Sequence, residues 1–149
     1  MIFDNVLEIV KQEGDKHRFS YKGFDCLIIR HPEKGHLNGY VAITKLSPKL
    51  YKEIYYNDFV DRIDCHGGIT YIGKGLKYWK IKKKKSVMWI GFDCYHYMDF
   101  APYWVIRSEK ILKRQCVDRK ELESGESQYR NLDYVIEECK GIVNQILEG

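Results

Sequence analysis

The sequence predicts one α+β domain over residues 1–149, in which a small antiparallel sheet is packed by a long C-terminal helix and a short N-terminal helix. Apolar residues near the C-terminus recur at helical spacing, which predicts a helix with one buried face. The middle of the chain holds short β-branched or aromatic runs separated by turn residues, which is typical of strands. A chain of 149 residues, 44% of them hydrophobic, suits a single core. The helix is therefore expected to pack across the sheet.

Apolar periodicity predicts both helices. Over residues 4–13, the apolar side chains between Val6 and Val10 share one face, with Asp4 available as N-cap and Gly14 as the stop. Ser127 is the candidate N-cap of the C-terminal helix. The apolar positions of that helix are Leu132, Val135, Ile136, Cys139, Ile142, Val143 and Ile146.

Four apolar runs predict the strands of the sheet. Cys26–Ile29 and Tyr40–Ile43 are separated by a proline, two glycines and an asparagine, as in two strands joined by a loop. The later runs GGITYIG, residues 67–73, and SVMWIGFDC, residues 86–94, are short and rich in β-branched or aromatic residues. We expect them to form a further hairpin or two.

Three other segments have weaker patterns. A helical turn or two is expected after Ser47-Pro48, because proline fits the first helical position. The lysine run KIKKKKS, residues 80–86, is interpreted as a solvated turn, since lysines also discourage pairing of sheet edges. Residues 99–125 resemble an irregular connection with a mobile loop.

Composition excludes several classes of protein. A net charge of +4 and a pI near 8.7 fall short of a dedicated nucleic-acid binder, so nucleic acid is an unlikely partner. The five scattered cysteines contain no C-x-x-C pair, and no secretory signal or membrane span is visible, so a cytoplasmic location without membrane contact is expected. The motifs of serine hydrolases, P-loop proteins and Rossmann dehydrogenases are absent.

The stretch CHGGITYIGKG, residues 65–75, places His66 and two glycines before a predicted strand that carries Thr70 and Tyr71. Successive glycines allow positive φ or a close approach of other atoms to the backbone. Alone, this pattern is typical of a turn that begins a strand. A role in binding requires further polar groups nearby.

Such groups follow the next predicted strand. In GFDCYHYMD, residues 91–99, Asp93, His96 and Asp99 stand at or beyond the strand end, where loops on a rigid scaffold commonly carry binding groups. Imidazole and carboxylate groups together can bind a metal, transfer protons or hold a ligand's hydroxyls. The loop between the first two predicted strands adds Arg30, His31, His36 and Asn38.

Three other site chemistries stay open at this point. A cysteine nucleophile would pair Cys94 with His96 or Cys65 with His66, provided that each pair meets in space. A structural zinc is disfavoured because those four residues lack the usual ligand spacing. A hydrolytic metal would suit a different set better, namely His66, Asp93, His96 and Asp99.

Four motifs in order resemble a family of small proteins encoded in bacteriophage and prophage genomes. They are G-H-x-x-G-Y-V at residues 35–41, H-G-G-x-T-Y at 66–71, G-F-D-C-x-H at 91–96 and Y-R-x-L-x-Y-V at 129–135. Family members often continue the third motif as A-H-A-G-D, whereas this chain has bulky residues at Tyr95–Asp99. The resemblance implies phage origin, and phage origin suggests by analogy a role against host immunity.

The function we predict is capture of a nucleotide-derived immune signal by a protein without cofactors, which we expect to act as a homo-oligomer in the host cytoplasm. Arg30 and His36 would meet phosphate, and Trp89 or Tyr71 would offer a stacking face. The alternative is a metal-dependent hydrolase acting on a nucleotide-like substrate. The predicted ligand-binding residues are Arg30, His36, Asn38, His66, Thr70, Tyr71, Trp89, Asp93 and His96.

Overall fold

The computed structural model describes residues 2–44, 52–53, 59–76 and 87–148. Of the helical turn predicted after Ser47-Pro48, only residues 52 and 53 are described, and they are helical. The lysine run at residues 80–86 lies outside the described residues. In the part of the chain that the structure describes, no helix has both the length and the apolar character needed to cross a bilayer.

Within the residues that the structure describes, the chain forms an antiparallel five-stranded sheet and four α-helices, which confirms the predicted α+β class. The strands lie in the order β1-β2-β3-β5-β4. The elements are α1 (Ile2–Glu13), β1 (Lys16–Tyr21), β2 (Phe24–Arg30), β3 (Leu37–Thr44), a 3-10 turn (Val60–Arg62), β4 (Tyr71–Gly73), β5 (Val87–Asp93), α2 (Pro102–Leu112), α3 (Val117–Ser124) and α4 (Leu132–Glu148).

The register of the sheet brings the predicted polar segments to one end. The start of β3 pairs with the end of β5, so that Asn38 lies opposite Asp93. Strand β4 pairs with the same strand, with Tyr71 opposite Gly91, which places the residues just before β4 beside the end of β5. This end of the sheet therefore collects the loops that follow β2, precede β4 and follow β5.

Helix α4 covers one face of the sheet, as its apolar period predicts. Its buried side chains pack on those of β2, β3 and β5 in the main hydrophobic cluster. Gly39 permits the close approach, because a Cβ atom there would lie 2.6 Å from the Phe92 ring and 2.8 Å from Cys139 Sγ. The opposite face carries a smaller cluster of Leu27, Ile29, Ala42, Leu76 and Trp89, with Tyr40, Tyr71 and Val87 against it.

Residues 99–125 were predicted as an irregular connection, and that prediction is wrong. They form α2 and α3, which pack with α1 in a third cluster around Phe3, Phe100, Val105 and Leu122. The helical period is weak because few side chains of α2 and α3 are buried. No side-chain cap marks the start of α2 either, since the carbonyl oxygen of Lys34 accepts its first amide hydrogens.

The predicted helix caps are also wrong, whereas the stop of α1 is confirmed. Helix α1 begins before Asp4, so that residue lies within its first turn. Asn131 rather than Ser127 caps α4, because its side-chain oxygen accepts from the Tyr134 amide at 2.9 Å. Gly14 ends α1 at φ +74°, where its amide donates to the carbonyl of Val10.

Candidate functional site

The buried carboxylate of Asp99 organises the polar end of the sheet. Its side chain is 1% exposed, and it accepts hydrogen bonds from His66 Nε2 at 2.7 Å, from Arg130 Nε at 3.0 Å and from the His96 amide at 3.0 Å. Because an ionised carboxylate only accepts, His66 carries a proton on Nε2. In the neutral ring, Nδ1 then accepts from the Tyr134 hydroxyl at 2.8 Å. We call His66, Asp99, Arg130 and Tyr134 the Asp99 cluster.

The Asp99 cluster is electrostatically satisfied. Burial alone would raise the pKa of Asp99, but hydrogen bonds from His66, Arg130 and the His96 amide outweigh it, and the pKa is lowered. The guanidinium of Arg130 also lies 5.1 Å from the centroid of the Tyr134 ring. This cluster ties the loops before β4 and after β5 to the start of α4.

A second set of contacts surrounds Asp93. Thr70 Oγ1 donates to Asp93 Oδ2 at 2.8 Å, and the Tyr95 amide donates to Asp93 Oδ1 at 3.1 Å. His96 Nε2 lies 3.2 Å from the same Oδ1, yet the angle does not suit a hydrogen bond, so the contact is a charge attraction when the ring is protonated. The rings of His66 and His96 meet edge to face at 5.8 Å and join this set to the Asp99 cluster.

The first glycine of the H-G-G motif is required by its contact with a histidine. Gly67 has φ +69°, and a Cβ atom there would lie 2.2 Å from His96 Nε2. Gly68 has φ +78° as well, but a Cβ atom on it would meet nothing within 4 Å. The backbone at Gly67 thus forms a wall against which the His96 ring is placed.

His36 lies in a stack of rings beside the site. It is 3% exposed, and its ring lies between those of His31 and Tyr95, each at a centroid distance of 5.0 Å. Burial, with a smaller contribution from the charge of His31, lowers the pKa of His36 to about 4. Its Nδ1 and the Oδ1 atom of Asn38 are buried, and neither has a hydrogen-bond partner among the described residues.

An open groove of about 460 Å³ lies beside His96, and we call it the aromatic groove. Exposed rings line it, with Trp104 and Tyr95 each 40% exposed and Tyr97 93% exposed. The Lys34 ammonium lies 4.1 Å from the centroid of the Tyr95 ring, next to the groove. The residues that line it are Tyr95, His96, Tyr97, Met98, Asp99, Ala101, Trp104, Asp118, Glu121 and Ser127.

Two carboxylates on α3 stand in the wall of the aromatic groove. Asp118 and Glu121 are one helical turn apart and half-buried. Among residues 2–44, 52–53, 59–76 and 87–148, the structure gives neither of these side chains an ion pair or a hydrogen bond. Their charges are therefore left to solvent or to a ligand.

Several predicted site residues lie together. His66, Thr70, Asp93 and His96 are joined by the contacts described above, and Asn38 lies opposite Asp93 in the sheet. His36 lies at the same end but is buried, and its lowered pKa leaves it uncharged at neutral pH, so it does not supply the positive charge predicted for phosphate.

Arg30 was predicted to meet phosphate, but the structure gives it another role. Its side chain is 1% exposed, and it donates to the carbonyl oxygens of Gly14 at 2.9 Å and Gly35 at 2.8 Å, to the Tyr129 hydroxyl at 2.8 Å and to Glu13 at 3.3 Å. Because these acceptors occupy the guanidinium in the interior, Arg30 joins α1 to the sheet and is closed to a ligand.

Tyr71 and Trp89 were predicted to offer a ring face, but they lie away from the aromatic groove. Both belong to the cluster on the sheet face opposite α4, and Trp89 is buried. The Tyr71 hydroxyl donates to the carbonyl of Gly75. The exposed rings that line the aromatic groove belong instead to the segment after β5 and to α2.

The predicted metal set, His66, Asp93, His96 and Asp99, does not assemble as a metal site. Within the described ranges, no group of three or more histidine, cysteine, aspartate or glutamate residues could hold a metal ion. Both ring nitrogens of His66 and both oxygens of Asp99 are already engaged in hydrogen bonds.

The cysteine nucleophiles also lack activation. Burial raises the pKa of Cys65 to about 12, and it raises that of Cys94 further. The thiolate, which is the reactive form, is therefore disfavoured at both positions. These cysteines serve packing.

The groove residues of α2 and α3 were not among the predicted site residues, and neither were Arg130 and Tyr134. The aromatic content of YHYMDFAPYW, residues 95–104, was a signal for the first group. The Y-R-x-L-x-Y-V motif contained both residues of the second group, without an indication that they would meet His66.

Comparison with protein-family models, with curated proteins and with solved structures gives no significant match. The resemblance to a phage family therefore stays a prediction, and the geometry of the site carries the functional argument.

Proposed function

We propose that the chain is a binding protein for a small nucleotide-like molecule and that the aromatic groove is its binding site. The observation that carries the proposal is the groove itself, an open cavity in which the exposed rings of Tyr95, Tyr97 and Trp104 stand beside charged groups. Concave sites with aromatic walls and a few polar groups are typical of small-ligand binding. Exposed apolar surface gathered in one place also indicates a binding role.

The rings supply the base-binding part of the proposal. Stacking of a base on an aromatic side chain contributes about 1–3 kcal/mol. Trp104 has the largest ring in the groove, and it sits near the N-terminus of a packed helix, so its backbone is already placed before the ligand arrives. A small number of such contacts gives useful affinity without catalytic groups.

Charge near the groove is divided in a way that suits a nucleotide. The Lys34 ammonium lies over Tyr95 and can meet a phosphate, while the carboxylates of Asp118 and Glu121 on α3 can accept from donors on the base or the ribose. Lys34 takes the phosphate role that was predicted for Arg30. His96 adds a half-buried imidazole to the groove lining.

Capture without chemical change is the mode that we propose. The raised thiol pKa values of Cys65 and Cys94 and the occupied hydrogen-bonding atoms of His66 support binding over hydrolysis. In a phage-encoded protein, such capture would remove a nucleotide-derived immune signal in the host cytoplasm and so inhibit antiviral defence.

The test is direct binding followed by recovery of the ligand. Titration calorimetry against linear and cyclic mono- and dinucleotides should give saturable binding of at least one of them. The bound molecule, released by heating, should have an unchanged mass and chromatographic retention. Cleaved products would contradict capture, and no heat with any member of the panel would contradict the proposed function.

A matched pair of variants places the ligand in the groove. Trp104→Ala should weaken binding roughly 5- to 150-fold, which corresponds to loss of one stacked ring. Leu147→Ala removes an exposed apolar side chain of α4 that lies outside the groove lining, and it should leave affinity unchanged. Equal effects of the two substitutions would place the ligand elsewhere.

Self-association is a further part of the proposal. The outer surface of α2 and the start of α3 expose apolar side chains that the described part of the chain does not cover, namely Ile106, Ile111, Leu112 and Val117. Burial of such side chains between two copies would favour a homo-oligomer. Light scattering coupled to size exclusion should then give a mass above 17.7 kDa, and a monomer at micromolar concentration would contradict this part.

A further inference from the structure

We infer that the aromatic groove selects a guanine base. The inference rests on the proposed function and names the class of nucleotide that the groove accepts. The two carboxylates on α3, Asp118 and Glu121, line the cavity and make no ion pair or side-chain hydrogen bond within the described residues. A ligand that displaces water from these carboxylates must supply donors to them, because an unpaired buried charge is costly.

The rings set how a base can meet these carboxylates. A planar base that stacks on Trp104 or Tyr97 uses its faces for the rings and leaves its edges for the other walls of the groove. Helix α3 contributes both of its groove residues as acids. The edge that meets α3 is therefore read by groups that only accept hydrogen bonds at neutral pH.

Guanine alone among the common bases offers two adjacent donors on its Watson–Crick edge, the N1–H and the N2 amino group. These match the two oxygens of one carboxylate, as the fork of an arginine does. Adenine and cytosine place a ring acceptor beside their amino donor, and that acceptor would face a carboxylate oxygen. Uracil offers a single N–H between two carbonyl acceptors. Donor pairing thus favours guanine.

The rest of the nucleotide must point away from α3. Phosphate groups would be repelled by Asp118 and Glu121, while the Lys34 ammonium offers a positive charge beside Tyr95. The guanine edge at α3 and the phosphate at Lys34 define one orientation across the groove. His96, whose side chain is half-buried, also lines the groove.

Calorimetry of the full chain with GMP, IMP and AMP tests this selection. IMP keeps N1–H but lacks the N2 amino group, so it isolates the second donor. We expect GMP to bind about tenfold or more tightly than IMP, and AMP to bind more weakly still, because a charge-assisted hydrogen bond is lost at each step. In at least one of Asp118→Asn and Glu121→Gln, the ratio of GMP to AMP affinity should fall toward one.

The ratio is measured within one protein, so partial loss of folded material does not imitate a loss of selection. Glu123→Gln changes an exposed acid of α3 outside the groove lining and should keep the wild-type ratio. Equal binding of GMP and AMP by the wild-type chain would overturn the guanine inference and leave the proposed function standing. Binding of spermidine or arginine with no nucleotide binding would overturn both, since the groove would then be a cation site.

Discussion

The Asp99 cluster and the aromatic groove share Asp99, but the carboxylates of the cluster and of the groove wall are in opposite electrostatic situations. The Asp99 carboxylate is almost fully buried and accepts from three donors. The carboxylates of Asp118 and Glu121 stand in an open cavity without such donors in the described part of the chain. A satisfied buried charge holds segments together, whereas an unsatisfied one beside a cavity is available to a ligand.

The largest effect is expected from breaking the satisfied cluster. Asp99→Ala leaves Arg130, His66 and the His96 amide without their acceptor, and it should lower the free energy of unfolding by about 3–5 kcal/mol. Asp118→Ala removes a groove carboxylate and should change it by less than about 0.5 kcal/mol. Urea denaturation followed by circular dichroism measures both. Similar losses of unfolding free energy in the two variants would contradict the difference proposed between the Asp99 cluster and the aromatic groove.

The next effect concerns pH and His36. Because its folded pKa is lowered to about 4, against an ordinary value of 6.5, the unfolded chain binds more protons between these values. His36 therefore makes its full contribution to the free energy of unfolding above pH 6.5. This contribution, of about 3 kcal/mol at most, is lost as the pH falls toward 4.

His36→Phe keeps a ring between His31 and Tyr95 and removes the titration. The variant should lose less stability than the wild-type chain between pH 6.5 and pH 4, as measured by urea denaturation at each pH. His17→Gln, which alters a histidine of edge strand β1, is the control and should keep the wild-type slope. Parallel profiles for the wild-type chain and His36→Phe would show that His36 is not buried in a neutral form.

A smaller effect separates the two glycines of the H-G-G motif. Both have positive φ, so alanine at either position carries the same kind of backbone strain, of about 1–2 kcal/mol. At Gly67 the new methyl group must also displace the His96 ring, so Gly67→Ala should cost about 1 kcal/mol more than Gly68→Ala. Thermal unfolding of the pair measures the difference, and equal melting temperatures would contradict the contact.

The smallest effect is expected at the outer end of the Asp99 cluster. Tyr134→Phe removes the hydroxyl that donates to His66 Nδ1 and should cost about 1 kcal/mol. Nucleotide affinity should stay within about twofold, since Tyr134 does not line the groove. Chemical denaturation and calorimetry on the same sample give both values, and a large loss of affinity at full stability would bring Tyr134 into the binding site.

The sheet and the closing helix were predictable because burial imposes a period on their side chains. Helix α4 shows it over its whole length, and β2, β3 and β5 carry apolar runs between turn residues. Strand β1 was not predicted because its sequence, KHRFSY, is half-exposed along its length and has no apolar run. Helices α2 and α3 were not predicted because no side chain caps their N-termini. Their outer faces also carry exposed apolar residues, which obscure the helical period.

The position of the candidate site could be predicted from the sequence, but only some of the residues that form it could be. Strand ends pointed to His66, Thr70, Asp93 and His96, and these do lie together. Arg30 carried the right chemistry for phosphate, yet its burial depends on α1 and Tyr129, which no local pattern reveals. Asp118 and Glu121 are ordinary acids of a short helix, and only the tertiary packing of α3 brings them to the groove.

The most direct test of the central claim is an NMR titration of the labelled chain with nucleotide. We expect saturable chemical-shift changes of the Trp104 indole N–H and of the amides at residues 95–99 and 118–121. The chemical shift of the indole N–H of buried Trp89 should stay unchanged. Saturating nucleotide that leaves the Trp104 indole in place, or that shifts only residues outside the groove, would contradict it.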